Sequence, residues 1–87
     1  MDINKAIEEL VNDKNIRFAR LMKITESFFG EPRNRGSSHY PFKVPWKGEP
    51  RINLQEGKQG KAKPYQVKQV RLALIKLREI QEGKNND

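Results

Sequence analysis

The segment RGSSHYPFKVPW, residues 35–46, contains the only histidine of the 87-residue chain, His39. Near neutral pH an imidazole can accept a proton from a ribose 2′-hydroxyl or donate one to a leaving oxygen, and a nearby cation can stabilise the charge that develops on the phosphate. DNA lacks this hydroxyl and cannot react by that route. Judged by its chemistry alone, a single histidine on a strand is more often a structural residue or a binding contact. Three roles therefore stay open for His39: a reacting group, an RNA or anion contact, or a polar strand residue.

Basic side chains lie on both sides of His39 and around the start of the last predicted helix. Lys63 precedes Pro64, which suits the first turn of a helix, so free backbone N–H groups and the helix dipole would favour an anion at the same place. The alternative is a lysine-rich loop that contacts only water. The candidate phosphate contacts are Arg35, Lys43, Arg51, Lys61, Lys63 and Lys68.

The net charge of +7 is unevenly distributed along the chain. Residues 1–30 have a net charge of zero, residues 31–76 a net charge of +8 and residues 77–87 a net charge of −1. Such a basic zone is typical of proteins that bind polyanions, because each Lys or Arg that meets a phosphate releases condensed counterions. We therefore favour nucleic acid as the partner over a basic surface with no partner. Exposed aromatic residues could add stacking with unpaired bases, although core packing is the expected role of each candidate: Tyr40, Trp46 and Tyr65.

Metal sites and membrane insertion have no support in the sequence. The chain has no cysteine, so it can form neither disulfides nor a thiolate zinc site, and one histidine cannot build a histidine-rich metal site. No apolar run approaches the roughly 18 residues of a membrane helix, and the start MDINKAIEEL lacks a signal-peptide pattern. We expect a cytoplasmic protein that uses no cofactor.

Apolar residues at helical spacing predict three helices. Asp2 is placed to cap the first helix, Gly30 to end the second, and Pro64 to begin the third. The predicted ranges are 3–12, 16–29 and 64–82.

A β-hairpin is predicted between the second and third helices. Tyr40, Phe42, Val44 and Trp46 alternate with prolines and a lysine, and the WKGEP turn connects this strand to a second strand in RINLQ. We expect a third, weak strand around 31–36 and a flexible basic loop at EGKQGKAKP. The sequence therefore predicts one α+β domain over 1–82, with helices packed on a three-stranded antiparallel sheet in the order α-α-β-β-β-α, and a flexible tail over 83–87.

Three segments together resemble the HicA-type toxins of bacterial and archaeal toxin–antitoxin systems: NIRFARLMKITESFFG, RGSSHYPFKVPWKGEPRINLQ and GKAKPYQVKQVRLALIKL. The resemblance covers the chain from about Asn15 to Leu77. Its most specific parts are the serine–histidine pair of the first hairpin strand, PWKGEPRINLQ and GKAKPYQVKQV. It implies a fold like that of double-stranded-RNA-binding domains, here with an additional N-terminal helix.

The resemblance also implies an activity, namely cleavage of mRNA by a metal-independent endoribonuclease. The catalytic histidine of the family maps onto His39, and the implied protein partner is a HicB-type antitoxin that covers the active surface. The family often has a glycine before a pair of histidines, whereas here Ser38 precedes His39 and Tyr40 follows it.

We therefore expect a toxin-type endoribonuclease in which His39 is the general acid or base. Arg35, Lys43 and Arg51 would hold phosphate, and the backbone of the RNA would be followed by Lys61, Lys63 and Lys68. The main alternative is a non-catalytic RNA-binding module with the same fold. A second alternative is a protein-binding adaptor whose basic face meets an acidic partner.

Overall fold

The computed structural model describes residues 1–34 and 36–83, which form three α-helices and a two-stranded antiparallel sheet. A short 3₁₀ turn lies before the last helix, and that helix contacts the two other helices and the second strand, so it lies at the centre of a single hydrophobic core. The predicted α+β class is therefore confirmed. The elements are α1 Ile3–Glu9, α2 Phe18–Phe29, β1 Tyr40–Phe42, β2 Ile52–Leu54 and α3 Pro64–Gln81.

Helix α1 is shorter than the predicted range of 3–12. Its first turn is capped by Asp2, whose side-chain oxygen accepts a hydrogen bond from the Asn4 N–H at 2.8 Å. The helix ends at Glu9 because the chain turns through the polar residues that follow Val11, although Leu10 is still fully buried.

An ion pair joins α1 to α2. The Arg20 guanidinium donates to both carboxylate oxygens of Glu9, at 2.7 and 2.8 Å, and this contact lowers the pKa of Glu9. Both side chains are partly exposed, so solvent screens the pair and its contribution to stability is small.

Helix α2 begins at Phe18 and ends at Phe29, close to the prediction of 16–29. Its buried face contains Leu21, Ile24 and Thr25, and the Thr25 hydroxyl donates to the Leu21 carbonyl at 2.7 Å. Gly30 follows with a φ of 82°, a left-handed conformation that glycine adopts without strain, so the predicted end of this helix is confirmed.

The β-hairpin pairs Tyr40 with Leu54, Pro41 with Asn53 and Phe42 with Ile52. Phe42, Ile52 and Leu54 are buried, as the period-two pattern predicts, while Asn53 is exposed on the opposite face. Both strands are short, and β1 ends before the predicted Val44 and Trp46.

The third strand predicted around 31–36 is not found among residues 31–34 and 36. Instead, one backbone hydrogen bond, from the Arg33 N–H to the Pro41 carbonyl at 2.8 Å, holds this segment beside β1. Pro32 has no N–H to donate, so the segment cannot extend a regular ladder through this position. Within the described residues the sheet is therefore two-stranded.

The basic loop predicted between β2 and α3 is held by backbone hydrogen bonds rather than being free of contacts. The Ala62 N–H donates to the Ile16 carbonyl at 2.8 Å, and the Gly57 N–H donates to the Lys61 carbonyl at 2.9 Å. Ala62 is buried in the core. These contacts anchor the loop to the chain entering α2.

Gly57 has no room for a side chain. A Cβ atom at this position would lie 2.8 Å from the backbone oxygen of Lys61, whereas a Cβ on Gly36 would meet nothing closer than 3.6 Å. We therefore expect Gly57→Ala to lower the free energy of unfolding by about 1–3 kcal/mol in urea denaturation, and Gly36→Ala to change it by less than about 1 kcal/mol. Equal unfolding midpoints for the two variants would contradict the close packing at Gly57.

Helix α3 begins at Pro64, as predicted, and ends at Gln81. The predicted tail starts with Gly83 in a turn, and residues 84–87 lie outside the described part of the chain. Over the described ranges, 1–34 and 36–83, the helices are too short or too polar to cross a membrane. The buried side of α3 comprises Gln66, Val67, Val70, Ala73, Leu74 and Leu77.

Candidate functional site

A polar cleft of about 370 Å³ opens between the outward face of the hairpin and the first turns of α3. Its position follows from the alternation of side chains along a strand. Ile52 and Leu54 point into the core, so Asn53 between them points outward. Residues 51 and 55 are each two positions from Asn53 and therefore lie on the same outward face. The lining residues are His39, Glu49, Arg51, Asn53, Leu54, Gln55, Tyr65, Gln66 and Gln69.

His39 lies at one wall of this cleft, on a turn that side chains hold in place. The Ser37 hydroxyl accepts from the His39 N–H at 3.2 Å and donates to the His39 carbonyl at 3.1 Å. Asn34 fixes the preceding turn by accepting from the Gly36 N–H at 3.0 Å. The backbone of His39 is thus held, while its imidazole is exposed, and within residues 1–34 and 36–83 the one contact of the ring is a long one of 3.4 Å, from Nδ1 to the Ser38 hydroxyl. The exposed ring is therefore accessible to a ligand as far as the described residues are concerned.

Glu49 and Arg51 place opposite charges in the same cleft as His39. A Glu49 carboxylate oxygen accepts from the Arg51 N–H at 3.2 Å, which ties the carboxylate to the start of β2. The cleft thus contains an imidazole, a carboxylate and a guanidinium. Within residues 1–34 and 36–83, His, Asp and Glu side chains form no group of three or more that could hold a metal ion.

A hydrogen-bonded chain of side chains joins β2 to α3 at the floor of the cleft. The buried Gln66 amide oxygen accepts from the Gln55 N–H at 3.0 Å, and the Gln55 amide oxygen accepts from Lys63 Nζ at 2.7 Å. Gln66 also donates to the Tyr65 hydroxyl at 3.2 Å. The sequence prediction named Lys63 and Tyr65 but missed Gln55 and Gln66. The one available signal was a glutamine on the predicted apolar side of α3, which marks a buried amide that needs a partner.

Of the predicted phosphate contacts that lie within the described residues, the structure brings one into the cleft with His39. That residue is Arg51. Lys63 lies at the edge through its bond to Gln55, and Lys61 is exposed on the anchored loop. Arg35 lies outside the described residues.

Two of the predicted phosphate contacts lie elsewhere. Lys43 lines a separate, mainly apolar pocket of about 230 Å³ with Phe28 and Phe29. Lys68 Nζ lies 3.5 Å from a carboxylate oxygen of Asp13, a residue next to α1. Their sequence positions suggested a common basic surface. In the structure, Lys43 borders the core between α2 and α3, and Lys68 is paired with an acidic residue.

The three aromatic candidates for base stacking lie in different environments. Tyr40 packs against Phe18 with ring centroids 5.9 Å apart, and the Trp46 indole donates to the Pro50 carbonyl at 2.9 Å. Both are therefore structural, as expected. Tyr65 is 62% exposed and lines the cleft, so core packing, which was the expectation for all three, does not apply to it.

The chain was compared with models of protein families, with curated proteins and with solved structures, and no family, relative or structural neighbour matched it. The interpretation of the cleft therefore depends on its own geometry and on the sequence motifs that line it.

Proposed function

We propose that the protein is a toxin-type endoribonuclease, similar to the HicA-type toxins, and that it cleaves mRNA in the cleft beside His39. One observation carries this proposal. Every residue that lines the cleft belongs to one of the three motifs most specific for the resemblance: the serine–histidine pair, PWKGEPRINLQ or GKAKPYQVKQV. These motifs are separated in the sequence but meet at one concave polar site, as is expected of residues that act together on one ligand.

The chemistry of the cleft suits cleavage through the ribose 2′-hydroxyl. The 2′-oxygen attacks the phosphorus, the bond from phosphorus to the 5′-oxygen breaks, and the products are a 2′,3′-cyclic phosphate and a 5′-hydroxyl. One group must accept the 2′-hydroxyl proton and another must donate a proton to the leaving oxygen. His39 and Glu49 are two groups of the cleft that can perform these transfers, and Arg51 supplies positive charge for the phosphate.

The basic loop extends this site along the backbone of the RNA. Lys61 and Lys63 lie on the segment that joins β2 to α3, and their charges can follow phosphates beyond the one at His39. Arg35 and Lys43 remain part of the proposal as phosphate contacts, and Lys68 would have to leave Asp13 to take part.

Two finer features of the resemblance belong to the same proposal. The first is a fold like that of double-stranded-RNA-binding domains, and what supports it is a helix packed on an antiparallel hairpin, with one hydrogen bond from Arg33 to Pro41 holding the preceding segment beside β1. The second is a HicB-type antitoxin that binds the protein and covers the cleft. What supports that partner is the resemblance itself and a chain whose basic charge is concentrated in residues 31–76.

Incubation of the purified protein with end-labelled single-stranded RNA, in the presence and in the absence of EDTA, tests the proposal. We expect fragments from RNA but none from DNA of the same sequence or from RNA with 2′-O-methyl groups throughout, because neither has a free 2′-hydroxyl. The fragments should be separated by gel electrophoresis.

Two outcomes would replace the proposal with one of its alternatives. Salt-sensitive RNA binding without fragments would support a non-catalytic RNA-binding module. No measurable RNA affinity at physiological salt would support a protein-binding adaptor. Cleavage that EDTA abolishes would contradict metal independence.

A further inference from the structure

Two amide side chains of the cleft are available to a ligand. Gln55 and Gln66 use their amide groups in the hydrogen-bonded chain that joins β2 to α3. In contrast, the side chains of Asn53 and Gln69 have no hydrogen-bond partner among the residues that the structure describes. An amide offers one donor and one acceptor side by side, which is the pattern found on the edge of a nucleobase. The cleft therefore contains more recognition chemistry than phosphate binding requires.

Tyr65 gives the same cleft an aromatic surface. Tyr65 is 62% exposed near the start of α3, and its hydroxyl accepts from the Gln66 amide at 3.2 Å, which restrains the ring. Exposed aromatic rings of this kind stack on unpaired bases. The volume of about 370 Å³ falls in the range of about 300–1,000 Å³ that is usual for sites that bind small molecules.

We propose that the cleft binds one unpaired nucleobase of an RNA, stacked on Tyr65 and recognised at its edge by Asn53 and Gln69. The inference rests on the proposed function in one respect, because the neighbouring phosphate is taken to lie at His39 and Arg51. A base within a duplex is stacked on both sides and has its pairing edge occupied, so it cannot enter the cleft. Recognition at this site therefore requires a single-stranded or bulged nucleotide and depends on which base it is.

The test measures binding separately from cleavage. Full-length His39→Ala protein is titrated by fluorescence anisotropy with labelled RNA hairpins that differ only at one bulged position, which is A, C, G, U or abasic. A fully paired hairpin of the same length is included. We expect the preferred base to bind about tenfold or more tightly than the abasic form, since a good pair of hydrogen bonds gives discrimination of this order.

Variants of the cleft separate its two recognition elements. Asn53→Ala combined with Gln69→Ala should remove the difference between the four bases, while Tyr65→Ala should weaken binding of all four and leave their order unchanged. Gln81→Ala is the matched control, because it removes an exposed amide from the same helix outside the cleft. Circular dichroism should show the same helix content for all variants, since these side chains are not in the core.

Three results are distinguishable. Base-dependent binding that disappears in the double variant supports the inference. Salt-sensitive binding that is equal for all bulged bases and the abasic form, or base dependence that survives in the double variant, overturns it and leaves the proposed function standing. No RNA binding by the parental protein overturns both.

Discussion

Replacement of His39 by alanine is expected to lower the rate of RNA cleavage by about 100-fold or more, because a positioned acid or base contributes about 10²–10⁴ to the rate of such a reaction. RNA affinity should change little, since Arg51 and the lysines of the basic loop remain. Single-turnover cleavage of end-labelled RNA gives the rate, and anisotropy with a 2′-O-methyl RNA that cannot be cut gives the affinity.

This variant leaves the fold intact for a structural reason. The turn at His39 is held by the Ser37 hydroxyl and by the backbone, and the imidazole itself is exposed. Ser38→Ala is the matched control, because its hydroxyl makes only a long contact with the ring at 3.4 Å and should cost much less activity. Cleavage by the His39→Ala protein at the parental rate would show that His39 is not the reacting group.

The second large effect concerns stability. Leu74 is fully buried on α3, within the core that this helix shares with α1, α2 and β2. We expect Leu74→Ala to lower the free energy of unfolding by about 2–5 kcal/mol, which includes the cost of the cavity that remains. For a small domain this is a large fraction of a total stability of about 5–15 kcal/mol. Urea denaturation followed by circular dichroism measures the change.

The same helix offers a matched control for this prediction. Leu72 is two residues away on α3 and is 48% exposed, so Leu72→Ala removes the same atoms from a surface position. Its cost should be less than about 1 kcal/mol. Similar destabilisation by the two variants would mean that the helix is not oriented as described.

The sequence predicted the helices well because their apolar residues follow a simple period. The start of α3 at Pro64 and the end of α2 at Gly30 are set by residues with restricted or unusual backbone preferences. The end of α1 was harder to place. The pattern continued to Val11, but the polar residues that follow favour a turn, and the helix stops at Glu9.

The third strand and the positions of the lysines depend on contacts between distant parts of the chain. Pro32 limits pairing beside β1, and only the structure shows how far this limit reaches. Likewise, nothing local to Lys68 indicates that it lies beside Asp13, which is more than fifty residues earlier. A charge map along the sequence therefore overestimates how many cations face one site.

The candidate site was predictable in part. His39 and Arg51 could be named from residue types and from the hairpin pattern, and both line the cleft. Asn53 and Gln69 were not named, because an isolated amide has no chemical signature until the strand and the helix bring it beside other polar groups. Glu49 was treated as a turn residue for the same reason.

Cleavage of RNA through the 2′-hydroxyl at His39, as proposed, is tested most directly by the chemical groups at the ends of the products. RNA of defined sequence is incubated with the parental protein and analysed by mass spectrometry. We predict fragments that end in a 2′,3′-cyclic phosphate, or in the 3′-phosphate formed by its hydrolysis, with 5′-hydroxyl groups on the partner fragments. Intact RNA, or fragments that end in a 3′-hydroxyl, would contradict the account.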